Sequence, residues 1–249
     1  MHLIYANVRN EWTKLVYRKK TWFFLAATLL LPVGGGLLLA NAQNGLGIGA
    51  VTSGDYPITL LGLLTGYVLP LFVFMGAADA FSGETGAQTL KIALARPISR
   101  FKIYVSKQIA LALAIAAYLL LALTGAAIAS SFLGGGLTAG AIADWLIAYG
   151  AAFVPLAALS AAAVFLAQFF SGGSGAMAVC LLLYAAARAG SLFLPQAAAY
   201  SPTAYMNWHA LWLGGSAAND QIAGVFMFLA ACSILFFTAG FYFFDKKEL

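Results

Sequence analysis

The sequence predicts an all-α integral membrane protein with six transmembrane helices, and three observations predict it. Of 249 residues, 63% are hydrophobic and only 8% are charged, giving a mean hydropathy of +0.90. A soluble domain carries roughly 25% charged residues, so this chain has too few to cover a water-facing surface. Six apolar stretches lie at about 22–42, 58–80, 108–130, 146–169, 176–195 and 221–244. Each reaches the roughly 20 residues that a helix needs to cross about 30 Å of hydrocarbon. Twelve of the thirteen Lys and Arg fall before the first stretch, between the second and third, or after the sixth. By the positive-inside rule both termini are then cytoplasmic. Backbone polar groups in lipid must pair within their own element, which makes these stretches helices, and no ten-residue alternation points to a β-barrel. The chain reads as a single transmembrane domain over 1–249. Its composition excludes a cytosolic enzyme, a disordered chain and a nucleic-acid-binding module.

The elements follow in order. At 100° per residue, Ile4, Tyr5, Val8, Trp12, Leu15 and Val16 share one face of residues 1–20, and Asn7, Asn10, Glu11, Lys14 and Arg18 take the other. That pattern predicts an amphipathic helix lying in the cytoplasmic headgroup layer, in contact with membrane lipid. A plain charged flank is the simpler alternative. A cleavable signal peptide is not, because no small-residue cleavage site follows a short apolar core. Span one holds Pro32 and Gly34, Gly35 and Gly36, which predict a kink or a tight helix crossing. Gly62 and Gly66 in span two form a small-residue pair suited to packing, within the chain or across a dimer.

The connection after span two is the longest on the basic side and runs from Asp79 to Arg100. Leu90 and Leu94 lie one helical turn apart, and Pro97 disfavours α geometry at Arg96. A short surface helix over 84–97 is expected, offering Leu90, Leu94 and several charges to another protein. A solvated loop with snorkelling lysines is the alternative. The next helix is expected to start near Ser99 and to run through Lys107 into span three.

Between spans four and five, Gly172-Gly173-Ser174-Gly175 reads as a tight glycine turn or as the Gly-x-Ser-Gly of an intramembrane serine hydrolase. The hydrolase would need a His beside Ser174 to take its proton. His209 falls in an outer loop and His2 at the N-terminus. Arg188 is the one strongly basic residue inside a span. It admits three readings: snorkelling to the outer headgroups, lining a pathway, or pairing with Asp144 or Asp220. In the last outer connection, about 196–220, Ser201 and Pro202 open a helix of about twelve residues that Gly214-Gly215 ends. Its Tyr205, Trp208 and Trp212 form either an interfacial aromatic belt or an outer gate.

Several chemistries lack their residues. No Gly-x-x-x-x-Gly-Lys-Ser/Thr phosphate loop occurs, so a nucleotide site of that kind is not expected in this chain. No His-Glu-x-x-His helix occurs, and Cys180 and Cys232, both inside apolar runs, offer no metal-ligand spacing.

The connection after span two resembles the membrane subunits of type-2 ABC exporters. The matching residues are Phe81, Glu84, Gly86, Leu90, Leu94, Pro97, Ser99, Arg100 and Lys107. An N-terminal Glu-x-x-Lys, here Glu11 and Lys14, and an aromatic last span with a charged tail, Phe241 to Lys247, belong to the same pattern. Ala87-Gln88-Thr89 departs from it, since the family more often runs Gly directly into Thr-Leu. The resemblance implies a permease that pairs with a second permease chain, the same or related, with an ABC ATP-binding subunit under each. ATP and Mg would then belong to the partner, and this chain would hold no cofactor. It also implies that Glu84, Gly86, Leu90, Lys91, Leu94, Pro97 and Arg100 couple to the ATPase. Short re-entrant outer helices carrying Tyr205, Trp208 and Trp212 would close the pathway, and the cargo would be a hydrophobic or amphipathic solute, such as a peptide antibiotic, a drug or a lipid. The family's compact members imply a bacterial cytoplasmic membrane. A serine hydrolase using Ser174 and a carrier or sensor without an ATPase are the competing readings.

Overall fold

The computed structural model describes residues 2–46, 52–89, 98–134, 138–193, 196, 199–213 and 219–247. Helix α1 is His2–Val16, and a turn at Tyr17 and Arg18 leads into α2, Lys19–Leu46. Helix α3 spans Tyr56–Gly86, α4 Arg100–Phe132, α5 Ala139–Ala167, α6 Gly173–Phe193 and α7 Asn219–Lys246. Helices α2 to α7 are each long and apolar enough to cross a membrane, which makes the chain an all-α multi-pass membrane protein. The 33 residues of α4 extend about 50 Å, well past the thickness of the hydrocarbon layer. The end of the bundle that carries α1, the start of α4 and the last turn of α7 is called the basic end below.

Helices α3 and α5 form the centre. In each, 56% of the most apolar window is buried, against 6% in α7. The buried line Ala148, Ala152, Leu156, Leu159, Ala163 and Ala167 runs along α5, and small side chains there let neighbouring backbones approach closely. Phe72, Val73, Phe74, Ala77 and Ala78 of α3 pack into the same core. Helices α2, α6 and α7 are peripheral, and Leu38, Leu182 and Ile234 stand on their exposed faces.

The expected tight crossing in span one is present and involves Gly36. A Cβ at Gly36 would stand 2.6 Å from that of Ala129 in α4, and one at Gly125 would stand 2.9 Å from the Leu29 carbonyl. Within the chain, a Cβ at Gly62 would stand 3.8 Å from Asn207 Oδ1 and one at Gly66 3.6 Å from Nη2 of Arg188 in α6, ordinary contact distances rather than a tight crossing.

Helix α3 is interrupted twice by π turns, at Leu64–Val68 and Asp79–Gly83. The first has a local cause. Pro70 has no N–H to give the Gly66 carbonyl four residues back, so the ladder widens there. The freed carbonyl accepts a hydrogen bond from the Tyr184 hydroxyl of α6 at 2.7 Å.

The amphipathic helix at the N-terminus forms, but its polar face is not the solvated one. Glu11 is buried against the bundle, while Tyr5 on the apolar face is 72% exposed. The charges of Glu11 and Lys14 turn inward, while the apolar face divides between the core, through Leu15, and the outside, through Tyr5.

The far-end connection also differs from expectation. Instead of one twelve-residue helix, Pro202–Tyr205 and Trp208–Trp212 form two separate 3-10 turns. The start signal holds, since the Ser201 hydroxyl accepts from the Thr203 N–H at 3.4 Å. Gly214 and Gly215 lie outside the described residues.

Candidate functional site

Four charged side chains from three separate elements meet at the basic end. The Lys107 ammonium, on a side chain with no exposed surface, lies 2.8 Å from Glu11 Oε2 and 2.7 Å from Glu84 Oε2. Lys14 Nζ lies 2.7 Å from Glu11 Oε1 and 3.1 Å from Glu84 Oε1. Each carboxylate thus takes both ammoniums, and the four charges alternate around a ring with zero net charge. The Phe81 ring lies on Lys107, with its centroid 5.7 Å from Nζ. Taking such charges out of water costs several kcal/mol per ion, which only close pairing and complete hydrogen bonding offset. Burial pushes the Glu11 carboxyl toward its neutral form, but Lys107 and Lys14 outweigh that and hold it below its ordinary value of 4.5. Burial likewise favours neutral Lys14, and Glu11 and Glu84 outweigh it, holding the group above 10.5.

The ring joins three elements: α1 through Glu11 and Lys14, the end of α3 through Glu84, and the start of α4 through Lys107. A second ion pair lies beside it. Asp79 Oδ2 is 2.8 Å from Arg18 Nη1 and 3.8 Å from Lys20 Nζ, which fixes the elbow between α1 and α2 to α3.

The last turns of α3 are held on their other side as well. Ser82 donates to the Ala167 carbonyl at 2.7 Å, and Lys247 donates to the Thr85 hydroxyl and the Gln168 carbonyl at 3.3 and 3.1 Å. A Cβ at Gly86 would collide with the Ser171 carbonyl, so glycine is the residue that fits. Arg100 donates to the backbone carbonyls of Asp245 and Lys247, which ties the tail of α7 to the start of α4. Ser99 holds the position before α4, and Gln88, at φ 54°, turns the chain away after α3.

Sequence reasoning named Glu84, Gly86 and Arg100 as groups that meet a partner. The structure gives all three internal contacts, and Glu84 is 6% exposed, so its carboxylate faces inward. Leu90, Lys91, Leu94 and Pro97 lie outside the described residues. Glu11, Lys14 and Lys107 were visible as a pattern, but their meeting with Glu84 was not. Nothing local marks it, since 96 residues separate Lys107 from Glu11 and 70 separate Glu84 from Lys14.

At the far end, Arg188 is half-buried and donates to the Thr203 carbonyl at 3.4 Å. Among the described residues no ion pair joins it to Asp144 or Asp220, which removes the pairing reading. Tyr205 donates to the Ala199 carbonyl at 2.9 Å. The Trp208 and Trp212 rings meet edge to face at 5.4 Å, with Trp208 buried and Trp212 exposed. With Leu146, Val154, Ile222 and Phe226 they line a groove of about 720 Å³ between α5 and α7. His209 is buried beside them, and burial, opposed by a hydrogen bond with the Met206 backbone, pushes it down to about 4. Ser174 sits in the first turn of α6 at the basic end, whereas His209 lies beyond the opposite end of that helix. No proton can pass directly between them, which counts against the serine hydrolase reading.

Six apolar helices of membrane-spanning length, joined at the basic end by a buried ionic ring, describe a multi-pass membrane protein. Residues 7–187 match the model of the ABC-2 family transporter proteins, and the chain belongs to that family. No curated protein matches it. The matched range takes in all four members of the ionic ring and stops one residue short of Arg188.

Proposed function

We propose that this chain is the permease of an ATP-driven exporter, powered by a separate ATP-binding subunit that docks at the basic end, on the cytoplasmic side. The observation that carries this reading is the buried ring of Glu11, Lys14, Glu84 and Lys107. It makes α1, the end of α3 and the start of α4 one body, and the segment 90–97 lies between two of its anchored ends. A push on that segment reaches three helices together. The segment after Gly86 and before Ser99 is thus a handle, and Leu90, Lys91, Leu94 and Pro97 are the residues that meet the ATPase. Glu84, Gly86 and Arg100 act by holding the handle's ends.

In the complete assembly two permease chains, the same or related, pair through the uncovered faces of the peripheral helices, with an ATP-binding subunit beneath each. ATP and Mg bind the partner. Moving a transport pathway from 1:99 to 99:1 between inward and outward access needs about 5.5 kcal/mol of differential stabilisation, which nucleotide-driven closure of the partner has to deliver through the handle. The cargo is a hydrophobic or amphipathic solute leaving the cell.

The test is reconstitution of the chain with its ATP-binding subunit in proteoliposomes. Leu90→Asp with Leu94→Asp is expected to leave the chain inserted while abolishing transport and its stimulation of ATP hydrolysis. Wild-type stimulation in that variant removes the handle, and uphill transport by the chain alone removes the ATP-driven reading altogether.

A further inference from the structure

We propose that Arg188 is a binding site for the anionic headgroup of an amphiphile at the end of the bundle remote from the basic cluster. The inference rests only on the membrane-spanning fold, and it stands or falls independently of the ATPase.

The position of Arg188 follows from the pattern of α6. Ala176, Cys180 and Tyr184, four residues apart, form the buried line of that otherwise exposed helix. Arg188 is the next member of the line, about 8 Å along the axis from the last residue, Phe193. Its guanidinium therefore points at α3, over the widened turn Leu64–Val68. A Cβ at Gly66 would stand 3.6 Å from Nη2, and the guanidinium carbon lies 5.9 Å from the centre of the Tyr67 ring.

What the guanidinium lacks is a counter-charge. It carries five N–H donors, and among the described residues one of them is used, on the Thr203 carbonyl at 3.4 Å. No carboxylate of the described residues pairs with it: Glu11, Asp79 and Glu84 pair with other bases at the basic end, and Asp55, Asp144 and Asp220 stand in no ion pair. A charge inside a membrane span without an acid, a cavity of water or a headgroup beside it is strongly unfavourable. Tyr67, 63% exposed, shows that this face opens outward from the bundle rather than into a sealed core. The open N–H groups form a fork that fits two oxygens of a phosphate or a carboxylate, and the neighbouring phenol adds a polar edge. Apolar helix surface continues below it toward the bilayer centre along α6, at Leu181. That combination selects a ligand with an anionic head and an acyl tail. A bilayer phospholipid and an amphiphilic cargo share this chemistry.

The two sources separate in one experiment on the purified full chain in a neutral maltoside detergent. Binding of dioctanoyl phosphatidylglycerol, a two-chain lipid, and of dodecyl phosphate, a single-chain amphiphile, is measured by titration calorimetry, with dioctanoyl phosphatidylcholine as the zwitterionic control. The wild type is expected to prefer at least one anion over the zwitterion. Arg188→Gln is expected to weaken that anion about tenfold and to leave the zwitterion unchanged, which corresponds to about 1.4 kcal/mol. Arg188→Lys, which keeps the charge and loses the fork, is expected to fall between them. Lys19→Gln with Lys20→Gln, at the basic end, is expected to bind as the wild type does. Arg188-dependent binding of the lipid alone assigns a structural lipid, and of dodecyl phosphate alone a cargo contact; dependence of both assigns a general anion site. Equal affinities in the wild type, Arg188→Lys and Arg188→Gln overturn the proposal. So does a wild type without preference for either anion, an outcome readable even if Arg188→Gln does not fold.

Discussion

Replacing Lys107 by methionine tests the ionic joint most directly. The substitution keeps the length of the side chain and removes the ammonium, so Glu11 and Glu84 lose contacts of 2.8 and 2.7 Å and share Lys14 alone. Removing one partner from a buried ion pair typically costs about 3–5 kcal/mol, because the other charge stays buried. Here the cost has a ceiling, since one of the two carboxyls can take up a proton instead. At pH 7, about 2.7 units above an ordinary glutamate, and with each unit worth about 1.36 kcal/mol, that ceiling is about 3.7 kcal/mol. At about pH 5.5 it falls to about 1.6 kcal/mol. The loss of stability in Lys107→Met is therefore expected to halve on mild acidification. Denaturant titration in mixed micelles at the two pH values measures it. Adding Glu84→Gln leaves one Glu11–Lys14 pair and is expected to recover most of the loss at pH 7. A loss that is independent of pH, or a double variant as unstable as the sum of the single ones, refutes the ring as an electrostatically closed unit.

Three further outcomes follow from the same end of the molecule. Gly86→Ala forces a Cβ onto the Ser171 carbonyl and is expected to cost about 1–3 kcal/mol, read as a lower folded yield and melting temperature. Gln88→Gly relieves a left-handed backbone at φ 54° and is expected to stabilise by up to about 1 kcal/mol in the same melting assay. The docking of α1 should depend on pH at both extremes. Glu11 is held below 4.5, so its contribution is complete above that value and is lost as the pH falls through the lowered folded value. Lys14 is held above 10.5, so its contribution is complete below that value and is lost as the pH rises through the raised one. The protection factors of the α1 amides are therefore expected to be high and constant between these limits, and protection that fades near neutral pH contradicts the assignment.

Much of the fold was legible in the sequence because lipid imposes long-range uniformity. A span needs about 20 apolar residues wherever it lies, so hydropathy alone found all six helices. Local signals also held where the physics is local: Ser99 before α4, Ser201 before its turn, and the close crossing at Gly36. Side-chain direction was harder to read. The polar face of α1 is compatible with water or with a buried counter-charge, and only Glu84 and Lys107 on distant elements decide between them. Pro70 was a readable signal for the widened turn at Leu64–Val68, because the carbonyl it leaves without a donor can be named from the spacing alone. The two 3-10 turns at 202–212 were not readable, since a Ser-Pro start fixes where a helical segment begins and not how far it runs.

The ionic ring also orders the assembly of the protein in time. Synthesis delivers Glu11 and Lys14 first, Glu84 some seventy residues later, and Lys107 last. Until that lysine leaves the ribosome and its helix enters the bilayer, Glu11 lacks its buried partner and the ring stays open. The first helix made therefore cannot finish docking before the third span has arrived.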